Sequence, residues 1–307
     1  MSTQPSLQQF SDGLADAVAS VGQSIVAVFG RRRLPGTGVV WQTDDDATWI
    51  VTASHVVERE ENLSVGLADG REIAATVQGR DVSRDLAVLK IARIDTAPIS
   101  LQERAARVGQ IVLAVGRPGV TDPQASFGII VAIGTSSWRW NSRGRLIHSE
   151  VTFLPGFSGG PLITPAAEVV GINTSGLTRG GGVTIPADQV RRIVSDIITF
   201  GYPRAGWIGV TVQQAAIAES LRESVGDQEA GLLVVGIAAE SPAQAAGLLV
   251  GDMLVTLADQ PLSDVGDLQL LLDGDQISKV LTAGVLRGGT LTSVDVTPIE
   301  RPGQQRR

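Results

Sequence analysis

The stretch Leu154-Pro155-Gly156-Phe157-Ser158-Gly159-Gly160-Pro161-Leu162 sets one hydroxyl among glycines, with short apolar runs on either side. Taken alone, a serine amid glycines is a loop residue. Its surroundings say more. Runs rich in Val, Ile and Thr flank it at 145–152 and 160–163. The same kind of run recurs at 24–29, 37–42, 48–53, 63–67, 72–77, 86–92, 111–115, 127–133, 168–174 and 182–185. Many short strands at near-regular spacing, with turn residues between them, imply an all-β barrel or sandwich. The acidic triplet Asp44-Asp45-Asp46 interrupts two of these runs and reads as a hairpin turn. Two helices frame the block. Residues 6–21 place Leu7, Phe10, Leu14, Val18 and Val21 at steps of three and four. Residues 186–200 open on Pro186, carry Val190, Ile193, Val194 and Ile197 on one face, and stop before Gly201.

Working upstream from Ser158, Asp85 opens the apolar run Asp85-Leu86-Ala87-Val88-Leu89-Lys90. His55 stands in Val51-Thr52-Ala53-Ser54-His55-Val56-Val57, where a strand gives way to a turn. The only other histidine, His148, falls mid-strand by pattern. Taken singly, these are a turn residue and a surface or core imidazole. Together they give His, then Asp, then Ser along a β-rich chain, the order of a chymotrypsin-type triad and not that of subtilisins or α/β-hydrolases. The chemistry requires these types. A serine hydroxyl is a poor nucleophile until a base takes its proton. An imidazole, with an ordinary pKa of roughly 6.5, is suited to that task. A buried carboxylate fixes its tautomer. Gly156 lets the backbone turn so that its N–H and that of Ser158 point at one spot, as an oxyanion hole needs.

Past Gly201-Tyr202-Pro203-Arg204 the pattern changes. Strands are expected at 207–213, 231–238, 252–257, 279–286 and 291–297, with helices at 241–246, opened by Ser241-Pro242, and at 263–273. The expected organisation is a helical segment at 1–22, a β-barrel block at 23–200, a linker at 201–205, a smaller α+β block at 206–300 and a polar, disordered tail at 301–307.

Composition fits this division. The chain has 307 residues, 43% hydrophobic and 19% charged, with 36 Gly, 14 Pro, no Cys and a formal net charge of −7. That is a soluble globular mix, long enough for about two domains with real cores and no staple. The missing cysteines fit a reducing compartment, although large exported bacterial proteins also lack disulfides. The acidic balance argues against nucleic acid or an anionic membrane as partner. Arg31-Arg32-Arg33 reads as a solvated hairpin loop. Leu34-Pro35-Gly36-Thr37-Gly38 matches a sortase sorting string, but such a signal stands near the C-terminus before an apolar tail, so the match is coincidental. No ~7–15-residue apolar leader or ~20-residue span is visible. The chain as given is therefore expected to be cytoplasmic, or periplasmic if an export signal was trimmed. No metal or cofactor is expected: there is no His/Cys/acid cluster, and Gly180-Gly181-Gly182 lacks the Lys-Ser/Thr of a phosphate loop.

Along nearly its whole length the chain resembles the HtrA (DegP-like) serine proteases. The resemblance is carried by Gly36-Thr-Gly-Val-Val, Thr52-Ala-Ser-His-Val-Val, Asp85-Leu-Ala-Val-Leu-Lys, Ala114-Val-Gly-Arg-Pro, Gly156-Phe-Ser-Gly-Gly-Pro-Leu, Gly171-Ile-Asn-Thr and Thr184-Ile-Pro. The second block is similar to that family's PDZ domain through Gly206-Trp-Ile-Gly-Val, Ser241-Pro-Ala-Gln-Ala-Ala-Gly-Leu, Gly251-Asp-Met-Leu and Val285-Leu-Arg-Gly-Gly. The resemblance implies a chymotrypsin-like double β-barrel followed by one PDZ domain, and a helix-led N-terminus that takes part in trimer contacts. It makes His55 the general base, Asp85 its orienter and Ser158 the nucleophile. Thr174 falls where a hydroxyl lies near the catalytic Asp, and Gly176 where the substrate backbone pairs as an added strand, with Leu177 beside it. Thr152 and Phe153 fall in the primary pocket. They carry no carboxylate, so an apolar residue before the scissile bond is expected and a cationic one is not. Gly206, Trp207, Ile208 and Gly209 would offer N–H groups to a peptide's terminal carboxylate, and Leu268, Leu271 and Leu272 would line the pocket for its last side chain. The plainer alternative makes these leucines core and the Gly-x-x-Gly a turn.

Three residues depart from the family pattern. Phe157 stands where Asn usually precedes the nucleophile, Leu154 where Asn precedes Pro-Gly, and Glu150 replaces Asp; the loop at 177–182 is also short. The leading expectation is an ATP-independent quality-control endopeptidase that acts on unfolded polypeptides, its PDZ binding peptide C-termini. The alternatives are a peptide-binding scaffold or holdase, silenced by Phe157 holding the Gly156 peptide flipped or closing the hole, and an esterase using the same triad.

Overall fold

Residue alternation sets the architecture of the first block. Along one strand Trp49 and Val51 face one apolar cluster while Ile50 faces another; on the strand beside it Leu86 and Val88 share the first cluster, and Ala87 and Leu89 the second. A strand buried on both faces must line a barrel interior and also pack outward on something else. The computed structural model describes residues 7–32, 34–119, 122–134, 145–178 and 181–302. Arg33, Gly180 and most of the polar tail lie outside the described residues, as do the first six residues of the N-terminal segment.

The first compact unit is Met1–Pro203. After α1 (Leu7–Gly22) come β1 (Ile25–Phe29), β2 (Gly36–Thr43), β3 (Ala47–Ala53), β4 (Ser64–Gly66), β5 (Glu72–Asp81) and β6 (Leu86–Ala92). They close a barrel in the order β1-β2-β3-β6-β5-β4. Then β7 (Ile111–Gly116), β8 (Gln124–Gly134), β9 (Leu146–Ser149), β10 (Pro161–Ile163), β11 (Val169–Thr174) and β12 (Val183–Pro186) close a second, ordered β10-β11-β12-β9-β8-β7. Each strand run read from the sequence is present. The Asp44 triplet is the β2–β3 turn: Asp44 Oδ1 accepts from the N–H groups of Asp46 and Ala47, each at 2.8 Å.

The first barrel is filled by Val26, Val28, Val40, Ile50, Leu63, Val65, Leu89 and neighbours; the second by Val112, Ile130, Ile147, Phe157, Leu162 and neighbours. A third cluster joins the two barrels to α1 and α2 (Ala187–Phe200) through Val21, Trp49, Val51, Val88, Leu113, Ile172, Ile185, Val190 and Val194. Gly201, left-handed at φ 85°, ends α2 as its C-cap. Only the later half of the α1 stripe packs. Leu14, Val18 and Val21 join the cluster, while Leu7 is 85% exposed.

The second unit is Arg204–Arg307. Its elements are β13 (Gly206–Trp207), β14 (Val210–Ala216), α3 (Glu219–Arg222), β15 (Ala230–Ile237), α4 (Pro242–Ala245), β16 (Met253–Leu257), β17 (Gln260–Pro261), α5 (Val265–Leu271), β18 (Leu281–Arg287), β19 (Thr290–Val296) and β20 (Ile299–Glu300). The main sheet runs β14-β15-β16-β18-β19, which leaves β14 at an edge. The expected strand at 207–213 is broken. Gly209 sits at φ +84°, and a Cβ there would lie 2.2 Å from Ser241 Cβ, so the chain kinks before β14 begins. α4 starts on Ser241, whose side chain accepts from Gln244 N, and α5 on a reciprocal Asp264–Asp267 capping box.

Candidate active site

Asp85 reaches the site because the chain turns left-handed there, at φ 55°, just before β6. Its carboxylate is 5% exposed and fully engaged. Oδ1 accepts the His55 N–H at 2.8 Å, and Oδ2 lies 2.7 Å from His55 Nδ1. Oδ2 also accepts from the Thr174 hydroxyl, at the end of β11. A carboxylate acceptor makes Nδ1 the protonated nitrogen, so Nε2 is left with its lone pair outward. His55 sits in a single 3₁₀ turn after β3, held from behind by Ser54 N–H donating to Asp85 O at 3.0 Å.

Ser158 arrives from the other barrel, in the loop between β9 and β10. Its carbonyl accepts Thr37 N–H at 3.0 Å, so β2 of the first barrel grips the loop. Thr37 does more. Its hydroxyl donates to Gly156 O at 2.7 Å and accepts Arg117 N–H at 2.8 Å, which fixes the plane of the peptide after Gly156. Gly156 is at φ +89°. Among the described residues neither Gly156 N–H nor Ser158 N–H has a protein acceptor. Gly159 must be glycine: φ is +86°, and a Cβ would sit 2.0 Å from Thr37 O.

Three consecutive residues tie the two halves. Thr174 holds Asp85. Ser175 touches Ser158 Oγ, through its own Oγ at 3.0 Å and its N–H at 3.3 Å. Gly176 leaves room for the His–Asp pair, since a Cβ there would lie 2.6 Å from Asp85 Oδ2 and 2.8 Å from His55 Nδ1. Residues 174–176 therefore tie His55 and Asp85 to the loop that carries Gly156 and Ser158, with Leu177 half-buried next along. Thr152 is exposed, and the Phe153 ring lies flat over Gly182, where a Cβ would meet the ring at 2.3 Å. Of the 177–182 loop, residues 179 and 180 lie outside the described residues. His148 lies on β9, paired with Ala132, away from this constellation.

Phe157 does not enter the groove. Its ring is 1% exposed inside the second barrel, against Gly116, and the flanking Gly156 and Ser158 amides stay open. Sequence reasoning missed Thr37, Ser175 and Gly182. Nothing in Gly36-Thr37-Gly38 signals a contact with a loop more than a hundred residues away; Ser175 reaches Ser158 from 17 residues on, and Gly182 acts through a ring contact.

In the second unit, Gly206 N–H is already engaged, donating to Leu272 O at 2.6 Å, so it is not open to a carboxylate. Trp207 pairs with Ile299. Leu268 and Leu272 are in the core, and Leu271 packs against it half-buried. α5 lies beside the free edge strand β14.

Residues 36–172 match the trypsin-like peptidase domain family, and 206–297 the PDZ domain family. A probable periplasmic serine endoprotease, DegP-like, from Pseudomonas fluorescens is 35% identical over 269 residues, covering 85% of this chain and 55% of the relative. One of the same name from Halomonas elongata is 32% identical over 282 residues, 90% of this chain and 58% of the relative. The chain thus spans somewhat over half the length of the curated relatives it matches. The solved structure of the HtrA-type protease AlgW with a tripeptide superposes with a TM-score of 0.77 at 30% identity, covering 94% of this chain and 97% of that one. The serine endoprotease from Yersinia pestis gives 0.68 at 26%, covering 97% and 100%. With two closed barrels, a PDZ domain and a match to an HtrA-type protease over 94% of its residues, the chain belongs to the HtrA (DegP-like) family of serine proteases.

Proposed function

We propose that this chain is a serine endopeptidase acting on unfolded polypeptides, with Ser158 as nucleophile, His55 as general base and Asp85 as its orienter. The carrying observation is the run 174–176, which holds the Asp85-anchored imidazole on one side and contacts Ser158 on the other, with the Ser158 and Gly156 N–H groups open. In this mechanism Nε2 of His55 takes the Ser158 proton as Oγ attacks the scissile carbonyl. Asp85, with the Thr174 hydroxyl on its carboxylate, keeps the tautomer and stabilises the imidazolium. The developing oxyanion is received by the Gly156 and Ser158 N–H groups, in a loop that Thr37 grips through Gly156 O and Ser158 O. His55 then protonates the leaving amine, and water repeats the sequence on the acyl-enzyme.

The substrate backbone pairs at Gly176 and Leu177 as an added strand. Thr152 and Phe153 bound an uncharged primary pocket, so a small or medium apolar side chain precedes the scissile bond. In the PDZ unit a peptide adds along the free edge of β14, its terminal carboxylate at the Ile208 and Gly209 N–H groups and its last side chain near Leu271. The buried ring of Phe157 favours the enzyme over a silenced scaffold. Periplasmic names among the relatives favour the exported alternative over a cytoplasmic one. The exposed start of α1, with Leu7 and Phe10, supports contacts in a homotrimer. Casein hydrolysis by the wild type beside Ser158→Ala tests the reading. The mutant should lose essentially all activity yet fold and still bind a C-terminal peptide. Equal hydrolysis by both chains would remove Ser158 from the mechanism.

A further inference from the structure

Every hydrogen bond of the Ser158 hydroxyl among the described residues goes to Ser175. Oγ lies 3.0 Å from Ser175 Oγ and accepts Ser175 N–H at 3.3 Å. A serine poised for attack donates its proton to the base and leaves a lone pair aimed at the carbonyl carbon. Here the base is ready, because Nδ1 is held by Asp85 at 2.7 Å, but the nucleophile is turned to another partner.

We propose that Ser175 is a positioning residue that holds Ser158 in a resting pose off the imidazole. This rests on Ser158 being the nucleophile. Two poses of one side chain then compete: Oγ on Ser175, or Oγ on His55 Nε2. Only the second reacts, so the observed rate is the intrinsic rate scaled by the fraction in that pose. The Ser175 hydroxyl supplies one of the two contacts that favour the resting pose. Its N–H remains when the side chain is shortened, so the pose weakens without vanishing. Ser175 is exposed at the groove, so truncation leaves no buried cavity.

Ser175→Ala tests this by the rate at which a fluorophosphonate labels Ser158, read beside the kcat and KM of a peptide substrate. Loss of one neutral hydrogen bond shifts such an equilibrium about fivefold. Labelling rate and kcat should rise by up to about that factor with KM unchanged, and Ser175→Thr, which keeps a hydroxyl, should restore the slower rate. A role confined to stability would move the melting temperature and leave this split untouched. Labelling of Ser175→Ala at or below the wild-type rate overturns the latch alone. Absence of labelling at Ser158 in both chains overturns the nucleophile assignment and the latch with it.

Discussion

Gly176→Ala presses on the His–Asp pair from a residue that also carries the proposed substrate strand, so its effect on alignment is read in kcat and its effect on pairing in KM. Gly176 is not left-handed, so alanine meets no backbone penalty there. Its Cβ would lie 2.6 Å from Asp85 Oδ2 and 2.8 Å from His55 Nδ1, and 3.4 Å is where ordinary contact begins. Something must move by about 0.8 Å, the gap between those distances. Asp85 is bound by His55 N–H and by Thr174, so the carboxylate is the harder of the two to shift. The imidazole yields, and with it the direction of Nε2. A misplacement of roughly 1 Å in a catalytic group costs on the order of 10² in rate, and full loss of the tautomer about 10⁴. We expect kcat for casein or a peptide ester to fall between those limits, with peptide binding to the PDZ unit unchanged. Initial-rate kinetics with a parallel thermal melt is the assay. A Gly176→Ala enzyme with wild-type kcat and an intact fold would show that the 174–176 segment does not set the base, and the reasoning would fail.

Thr37→Val keeps shape but removes the hydroxyl between Gly156 O and Arg117 N–H. Two buried groups lose their partner, so stability should drop by about 2 kcal/mol and kcat by about 10² as the loop carrying the Gly156 and Ser158 N–H groups loosens; a kcat within about twofold of wild type would refute the role given to Thr37. In the PDZ unit Asp252 is 2% exposed. Burial alone would push its carboxyl up, but the Arg287 guanidinium, at 2.7 and 2.8 Å, and the Leu249 N–H outweigh this and hold it below the ordinary range. A depressed folded-state value contributes stability above the unfolded pKa of about 3.9, and this is lost as pH falls through the folded one. The protection of the β16 and β18 amides from hydrogen exchange, taken relative to their intrinsic rates, should therefore fall below about pH 4. Asp252→Asn should remove that dependence at a cost of about 1–2 kcal/mol, kept low because Arg287 is partly exposed. Unchanged acid sensitivity in that variant would refute it.

The strand runs and both helices of the first unit were legible because each rests on local signals: short apolar runs between turns, Pro186 before α2 and Gly201 after it; the double barrel came through the family resemblance, as did the roles proposed for Thr174 and Gly176. What escaped was non-local or too short to carry a period. Thr37 acts on Gly156 across two barrels. β20 has two residues and pairs with β13 from the far end of its unit. Gly206 reads as an open N–H donor until Leu272 O is found beside it. Phe157 was misleading for a related reason. Next to Ser158 along the chain, its ring is buried in the second barrel instead, because the left-handed Gly156 and the turns on either side swing it inward.

That orientation constrains how this sequence drifts. A Cβ at residue 116 would lie 2.4 Å from the Phe157 ring, so the aromatic residue is housed only while its neighbour across the barrel has no side chain. A lineage that gains bulk at 116 must give it up at 157. Because 157 is flanked by the two N–H groups proposed to receive the oxyanion, a substitution that looks like interior housekeeping would be felt first as lost turnover.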